Sequence, residues 1–271
     1  MNQQSKPIKD IVKNKYDVIA EQSKAQNESS CCGSGPSTCC SDNDYSMFND
    51  DYSHIQGYTE EADLGLGCGI PTEFAGIKSG NVVLDLGSGA GNDCFVARSI
   101  VGESGHVFGV DFSEKMLAKA NKNLQKTGYQ NITFKQGDIE EMPFKNEMMD
   151  VVISNCVLNL VPDKAQAFAE IHRTLKPGGH FCVSDVVLQG ALPEPLQKDA
   201  EMYAGCVSGA LDKDDYLDII KIAGFENITI HKQKEIIIPD KVLLKYMTPL
   251  EVAAYKADDK GIFSITVSAQ K

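Results

Sequence analysis

The sequence predicts an α/β fold built on a mostly parallel sheet. Apolar runs of strand length alternate with segments of helical spacing over residues 81–188. That rhythm is typical of parallel strands joined by right-handed helical crossovers. A glycine-rich turn at Gly87, Gly89 and Gly91 follows the first strand, and Asp111 ends the second. Because open sheets bind ligands beyond the carboxyl ends of their strands, the turn marks the expected site.

The other elements follow in order along the chain. Apolar residues at helical spacing predict an amphipathic helix over residues 7–21. Strands are predicted at residues 82–84, 107–110, 131–136, 149–154 and 181–187, with helices after Gly91, after Ser113 and over 164–175. Beyond Gly190 we expect helices at 195–204 and 212–223 and strands at 228–230 and 262–267. The apolar runs at 236–238 and 242–244 have no assignment.

Composition narrows the classes of function. The chain has 271 residues, enough for a full core, and a net charge of -12 that disfavours nucleic acid or an anionic membrane as partner. It has no apolar stretch of membrane-spanning length and no apolar signal core at its start, so we expect a cytoplasmic protein. In a reducing compartment, the nine cysteines indicate ligand, redox or core roles rather than a disulfide framework.

The residues around the turn favour a ligand with a cationic end and a ribose. Glycine allows close approach to the backbone, and an acid about twenty residues farther on suits two ribose hydroxyls. A dinucleotide-binding turn would need glycine where Asn92 stands, and Asp85 would repel a pyrophosphate. S-adenosylmethionine has both the cation and the ribose. The alternative, a tight turn that binds nothing, leaves Asp111 unexplained.

Three cysteines form the second candidate site: Cys68 in GLGCGIP, Cys156 in SNCVLNL and Cys206 in AGCVSGAL. From the residues alone, core packing and function explain them equally well, since cysteine is often a small buried hydrophobe. The loop-like context of Cys68 and Cys156 favours ligand binding. For Cys94 and Cys182, which fall inside predicted elements, we expect core packing.

Residues 76–188 contain the glycine turn, the acid after it, and the stretches GDIEEMPF and LKPGG. With these features they resemble class I S-adenosylmethionine-dependent methyltransferases. Cys68, Cys156 and Cys206 look like the three positions found in arsenite methyltransferases, and the similarity runs from Tyr58 to about Met247. The resemblance implies a Rossmann-like, seven-stranded, mostly parallel sheet with helices on both faces. It also implies methylation of trivalent arsenic in detoxification. The implied partners are arsenite or its thiol conjugates and a thiol reductant such as thioredoxin or glutathione.

The chain then divides into three expected regions. Residues 1–75 hold the N-terminal helix, a cysteine-rich segment and the Cys68 loop. Residues 76–188 form the S-adenosylmethionine-binding core, and residues 189–271 form a C-terminal substrate region with closing strands. We expect a monomer.

In the implied chemistry, the three thiolates hold arsenic because a soft centre prefers soft ligands. The arsenic lone pair attacks the methyl group in line, so the acceptor has no proton to lose and needs no general base. Asp85 would hold the cationic end, Asp111 the ribose, Asp138 the adenine amino group and Asn155 the methionine part. The expected cofactor-binding residues are Asp85, Gly87, Ser88, Gly89, Gly91, Asp111, Phe112, Asp138, Ile139 and Asn155.

Four more cysteines, Cys31, Cys32, Cys39 and Cys40, lie in a polar, serine-rich stretch. Arsenic capture or thiol exchange, thiols without a role, and a four-thiolate zinc site are all open, although the spacing is not that of a common zinc ribbon. Two alternatives remain for the whole chain. One is a small-molecule C- or O-methyltransferase with incidental cysteines, and the other is a non-catalytic arsenical or metal sensor.

Overall fold

The computed structural model describes residues 5–29, 50–190, 209–237, 240–244, 247–257 and 260–271. Its strands are β1 (Val82–Leu86), β2 (His106–Asp111), β3 (Ile132–Gln136), β4 (Met149–Asn155), β5 (Leu175–Gln189), β6 (Glu226–Ile236) and β7 (Gly261–Gln270). Within the described residues these seven strands form one sheet, in the order β3-β2-β1-β4-β5-β7-β6. Strands β1 to β5 are parallel, and β7 is antiparallel to both of its neighbours. The predicted Rossmann-like, mostly parallel sheet is confirmed.

The helices of the described residues are α1 (Ser5–Ile19), α2 (Lys24–Ser29), α3 (Pro71–Phe74), α4 (Asn92–Val101), α5 (Glu114–Thr127), α6 (Lys164–Thr174), α7 (Lys213–Ile222), α8 (Asp240–Leu243) and α9 (Pro249–Ala257). Short 3-10 turns occupy Glu60–Ala62 and Leu158–Leu160. The predicted cap of α5 is present, because the Ser113 hydroxyl accepts a hydrogen bond of 3.1 Å from the Met116 amide. None of these helices is long and apolar enough to cross a membrane.

The core occupies both faces of the sheet, because successive side chains of a strand point to opposite faces. In β1, Leu84 and Leu86 belong to the cluster that contains Phe168 of α6. Val83 belongs to the other cluster, which contains Phe95 of α4. All five side chains are buried. Burial on both faces accounts for the uninterrupted apolar runs of the central strands.

Strands β5, β6 and β7 are longer than the sequence-based expectation, with β6 at Glu226–Ile236 rather than 228–230 and β7 at Gly261–Gln270 rather than 262–267. Strand β5 begins at Leu175 rather than at Phe181. Leu175 pairs with Met149 of β4, and Gly178 and Gly179 exchange backbone hydrogen bonds of 3.1 and 2.9 Å with Lys271. Of the unassigned apolar runs, Ile236 is the last residue of β6 and Leu243 the last of α8, whereas residue 238 lies outside the described residues. The predicted helix at 195–204 lies outside the described residues, as do Cys206 and the four cysteines Cys31, Cys32, Cys39 and Cys40.

Candidate functional site

A cavity of about 110 Å³ lies at the carboxyl ends of β1, β2 and β4. Most of the expected cofactor-binding residues line it, namely Asp85, Gly87, Ser88, Gly89, Asp111, Phe112 and Asn155. Gly91, Asp138 and Ile139 are not part of the lining. The cavity therefore sits where an open α/β sheet binds its ligand.

The turn after β1 requires glycine for two reasons: its backbone conformation and the closeness of neighbouring side chains. Gly87 and Gly89 have φ values of 64° and 51°, in the left-handed region that side chains disfavour. A Cβ atom on Gly87 would lie 2.5 Å from the side chain of Val157. The Gly89 amide donates a hydrogen bond of 3.0 Å to Asp111 Oδ2, which ties the turn to the end of β2.

Asp111 has a second anchor in the next turn. Its Oδ1 atom accepts a hydrogen bond of 2.8 Å from the Ser113 amide, and its side chain is buried at the rim of the cavity. Burial raises the pKa of Asp111, and the backbone amides that it accepts from oppose that rise. The carboxylate is thus held in one orientation at the position expected for ribose hydroxyls.

Two buried acids, Asp85 and Asp93, line the same cavity. Burial and the nearby Asp93 raise the pKa of Asp85 well above its usual range. Burial also raises the pKa of Asp93, to about 6. Two neighbouring carboxyl groups in a water-poor site disfavour each other's ionisation, and a cationic ligand would reverse that effect.

Two residues of the cavity lining, Ser88 and Asn92, carry buried polar atoms without a partner in the described part of the chain. Ser88 Oγ and Asn92 Oδ1 are buried and have no hydrogen-bond partner among the described residues. Buried polar atoms are costly unless they are bonded. The acid pair and the glycine turn, with these two residues beside them, suit a ligand that combines an amino acid, a second positive charge and a ribose.

Helix α1 covers one side of this region. Tyr16 lines the cavity, and Asp17 accepts a hydrogen bond of 2.5 Å from the Ser113 hydroxyl. Lys9 forms ion pairs with Asp138 and Glu140. Asp138, expected at the adenine amino group, is therefore paired with a lysine of α1 in this structure.

The structure brings two of the three candidate cysteines together. Cys68 and Cys156 are both buried in one cluster with Val186, Leu188 and Ile262. Cys156 directly follows β4, has a φ of 60° and also lines the cavity. The arrangement places both thiols in an apolar region beside the carboxyl ends of the strands. Cys206, the third candidate, lies outside the described residues.

The other described cysteines have the packing role expected of them. Cys94 and Cys182 are fully buried in the cluster on the α4 side of the sheet. The Cys94 thiol donates a hydrogen bond of 3.2 Å to Asp85 Oδ2, and burial raises the pKa of Cys182 to about 12. Both thiols therefore stay protonated at neutral pH, since the pKa of Cys94 is also raised well above its usual range by burial. Among the described residues, no group of three or more His, Cys, Asp and Glu side chains is arranged to hold a metal ion.

Two residues absent from the sequence-based predictions, Tyr52 and Asp93, join the cavity to the Cys68 loop. The Tyr52 hydroxyl lies 2.9 Å from Asp93 Oδ1 and 3.0 Å from the Gly69 carbonyl oxygen. Asn155 Nδ2 lies 2.8 Å from both the Tyr52 hydroxyl and the Gly69 carbonyl oxygen, and 3.2 Å from Asp93 Oδ2. Asp93 carried a weak signal, as an acid just after the glycine turn, whereas Tyr52 belongs to no motif.

The chain is similar in sequence to a known protein family and to known proteins. A sequence model of the methyltransferase domain matches residues 77–224. An arsenite methyltransferase of Halobacterium salinarum is 40% identical over 237 residues, covering 84% of this chain and 59% of that protein. Another, from Aquipseudomonas alcaligenes, is 38% identical over 184 residues, covering 65% of this chain and 53% of that protein. This chain thus spans less than two thirds of the length of either relative.

A solved structure is similar as well. The crystal structure of an arsenic(III) S-adenosylmethionine methyltransferase from Chlamydomonas reinhardtii superposes with a TM-score of 0.63 at 36% identity. The match covers 76% of this chain and 67% of that one. The two chains therefore share their overall fold.

Proposed function

This chain belongs to the family of methyltransferase domains, and we propose that it methylates trivalent arsenic with S-adenosylmethionine as the methyl donor. The observation that carries the proposal is the burial of Cys68 and Cys156 in one apolar cluster at the edge of the cavity. Soft thiolates are the ligands that a soft metalloid prefers, and a methyl acceptor must lie next to the methyl donor.

The residues of the cavity would hold the donor. S-adenosylmethionine supplies a methyl group bound to a positively charged sulfur. Asp85 and Asp93 attract the cationic end of such a molecule, and Asp111 accepts hydrogen bonds from ribose hydroxyls. The left-handed turn at Gly87 and Gly89 lets the ligand approach the backbone. Ser88 and Phe112 complete the lining on the same side.

The adenine end stays a prediction. Asp138 would accept from the adenine amino group with the Ile139 amide beside it, and Gly91 would support the turn through its place before α4. Lys9 is paired with Asp138, so adenine binding requires that Lys9 share or release this carboxylate.

The cysteines would hold the acceptor. Thiolates of Cys68, Cys156 and Cys206 bind arsenic as a pyramid and leave its lone pair directed at the methyl group. Valine, leucine and isoleucine side chains surround Cys68 and Cys156 and exclude water. Exclusion of water suits a transfer in which the charge on sulfur disperses. No proton has to leave the acceptor, so no general base is required.

The proposal also names partners and a role. As the arsenic lone pair forms the new bond to the methyl carbon, the carbon–sulfur bond of the donor would break and the thioether would leave. The transfer uses up the lone pair, so a thiol reductant such as thioredoxin or glutathione would return arsenic to the trivalent state before another methyl group is added. Arsenite or its thiol conjugate is the proposed substrate, and detoxification is the proposed role. Cys31, Cys32, Cys39 and Cys40 would act as accessory thiols that capture arsenic.

The test is incubation of the full chain with arsenite, glutathione and methyl-labelled S-adenosylmethionine, followed by separation of the arsenic species. We expect labelled methylarsenicals, lost in Cys156→Ser and kept in Cys182→Ser, a buried cysteine that is not part of the cavity lining. Labelling of a carbon or oxygen acceptor instead of arsenic would favour a small-molecule methyltransferase. Binding of both ligands without any transfer would favour a sensor.

A further inference from the structure

Tyr52 is a buried tyrosine that sits between the cavity and the Cys68 loop. Its side chain is 5% exposed and packs with Ile70 and Val96. The segment that carries it packs closely against α4, where the Ser99 hydroxyl oxygen lies 2.9 Å from the Gln56 carbonyl oxygen. The phenol is thus held by the packing of its ring, which leaves its hydroxyl in one place.

The Tyr52 hydroxyl belongs to a cluster of polar groups that has more hydrogen-bond contacts than hydrogens to donate. Tyr52 offers one hydrogen, and the side-chain amide of Asn155 offers two. These three hydrogens serve five close contacts among Tyr52, Asn155, Asp93 and the Gly69 carbonyl. The Tyr52 hydrogen can point to Asp93 or to Gly69, but not fully to both. Burial raises the pKa of Tyr52 well above its usual range, so the phenol remains a donor.

We propose that Tyr52 is a positioning residue that transmits occupancy of the cavity by a cationic ligand to the loop that carries Cys68. The inference rests on the proposed function, because it assumes that the ligand is S-adenosylmethionine. With the cavity empty, the Asp93 carboxylate holds the Tyr52 hydrogen. A cation beside Asp93 competes for that carboxylate, and the hydrogen turns to the Gly69 carbonyl next to Cys68.

The loop that carries Cys68 packs closely against Asn155 and Ser184. A Cβ atom on Gly67 would lie 2.7 Å from Asn155 Nδ2, and one on Gly69 would lie 2.6 Å from the Ser184 hydroxyl oxygen. The Cys68 amide donates a hydrogen bond of 3.0 Å to Asn155 Oδ1. A change in the hydrogen bonds of Asn155 or Gly69 therefore acts directly on the backbone on both sides of Cys68.

The test measures the Cys68 thiol and uses no arsenic. The rate of alkylation of Cys68 by iodoacetamide is followed by peptide mass spectrometry, with and without saturating S-adenosylmethionine. Alkylation of a buried thiol reports opening of its loop. In the wild-type chain we expect the cofactor to slow alkylation about tenfold, the effect of one added hydrogen bond of ordinary to charge-assisted strength. In Tyr52→Phe, which keeps the ring, we expect equal rates with and without cofactor.

Tyr58→Phe is the matched control. It lies in the same segment and also removes a phenol hydroxyl bonded to a carboxylate, Asp63 Oδ2 at 3.2 Å. We expect it to keep the wild-type protection. Calorimetry on each variant establishes that the cofactor is bound at saturation. Full protection in Tyr52→Phe, or no protection in the wild-type chain, would overturn the proposal.

A second variant covers the case in which Tyr52→Phe does not fold or does not bind the cofactor. Asp93→Asn removes the charge that competes for the Tyr52 hydrogen, so protection of Cys68 should again be independent of the cofactor. Cofactor-dependent protection in Asp93→Asn would refute the proposal. The alkylation assay contains no arsenic, so its result does not depend on arsenite methylation. A failure to methylate arsenite would refute the proposed function and leave the outcome of the alkylation assay unchanged.

Discussion

The backbone amide of Cys68 donates a hydrogen bond of 3.0 Å to the side-chain oxygen of Asn155, the residue directly before Cys156. Asn155 thus positions one cysteine through its side chain and the other through its peptide bond. The Cys156 amide is fixed in turn by a hydrogen bond of 2.8 Å to the Ser184 carbonyl oxygen. With a φ of 60°, Cys156 has a backbone conformation that residues other than glycine adopt only where the surroundings hold them.

The first prediction concerns the glycine beside this contact. In Gly67→Ala the new Cβ would lie 2.7 Å from Asn155 Nδ2, so the amide or the loop must move. We expect a loss of about 1–3 kcal/mol in the free energy of unfolding, the usual cost of overpacking. We also expect a larger fractional loss of arsenite methylation than of cofactor affinity.

Gly261→Ala is the control, because its Cβ would meet no atom closer than 3.6 Å, at Phe263. Denaturant unfolding and methylation assays on both variants give the comparison. Equal methylation rates in Gly67→Ala and the wild-type chain would show that the contact does not position Cys68.

The second prediction separates successive methylations. Each methyl group added to arsenic takes one coordination position, so later steps need fewer thiolates. Cys68→Ser should therefore slow methylation of arsenite more than methylation of a monomethylated trivalent arsenical. Initial rates on the two substrates measure the ratio, with Cys182→Ser as the buried-cysteine control. Equal losses on both substrates would contradict a ligand role that is specific to the first step.

A third prediction follows from the raised pKa of Asp93, which burial brings to about 6. Neighbouring groups are Asp63 and Asp85, which are acidic, and the donors Tyr52 and Asn155. A cation stabilises the ionised carboxylate, so cofactor binding below the pKa must expel a proton. Affinity for S-adenosylmethionine should rise from about pH 5 to about pH 7, by up to about tenfold per unit.

Titration calorimetry in buffers of different ionisation enthalpy measures both the affinity and the proton release. Asp93→Asn should flatten the pH dependence over this range. A wild-type affinity that falls with pH, or a slope unchanged in Asp93→Asn, would show that another group controls the linkage.

The fourth prediction concerns Asp111. The sequence alone suggests that Asp111→Ala abolishes tight cofactor binding and leaves the fold intact. The structure adds a cost, because Asp111 accepts from the amides of Gly89 and Ser113. Leaving buried donors unsatisfied costs about 1–3 kcal/mol. We therefore expect lower stability as well as lost affinity, measured by thermal unfolding and calorimetry. An unchanged affinity would refute the ribose assignment.

Much of the sheet could be predicted because its signals are local. Apolar runs mark the central strands, and Ser113 marks the start of α5 through its own side chain. The start of β5 could not be predicted, since it depends on pairing with distant residues: Leu175 pairs with Met149, and Gly178 and Gly179 bond to Lys271. Propensity at Pro177 and the two glycines after it favours a turn, and tertiary pairing overrides it.

Some residues of the candidate site could likewise be predicted from local sequence, and others could not. Asp111 is the last residue of β2 and Asp85 the second-last of β1, and the apolar runs before them place both near the carboxyl ends of their strands. Tyr52 and Asp93 are 41 positions apart, and only the folded chain brings the hydroxyl to the carboxylate. Lys9 is 129 positions from Asp138, which is why its ion pair with that acid left no trace in the sequence pattern.

The most direct measurement is X-ray absorption at the arsenic edge, on protein carrying one arsenite per chain and freed of small thiols. If three cysteines hold arsenic, we expect three sulfur neighbours in the wild-type chain. We expect two in each of Cys68→Ser, Cys156→Ser and Cys206→Ser. Three sulfur neighbours retained in Cys68→Ser and Cys156→Ser would contradict this expectation, because arsenic would then be bound elsewhere.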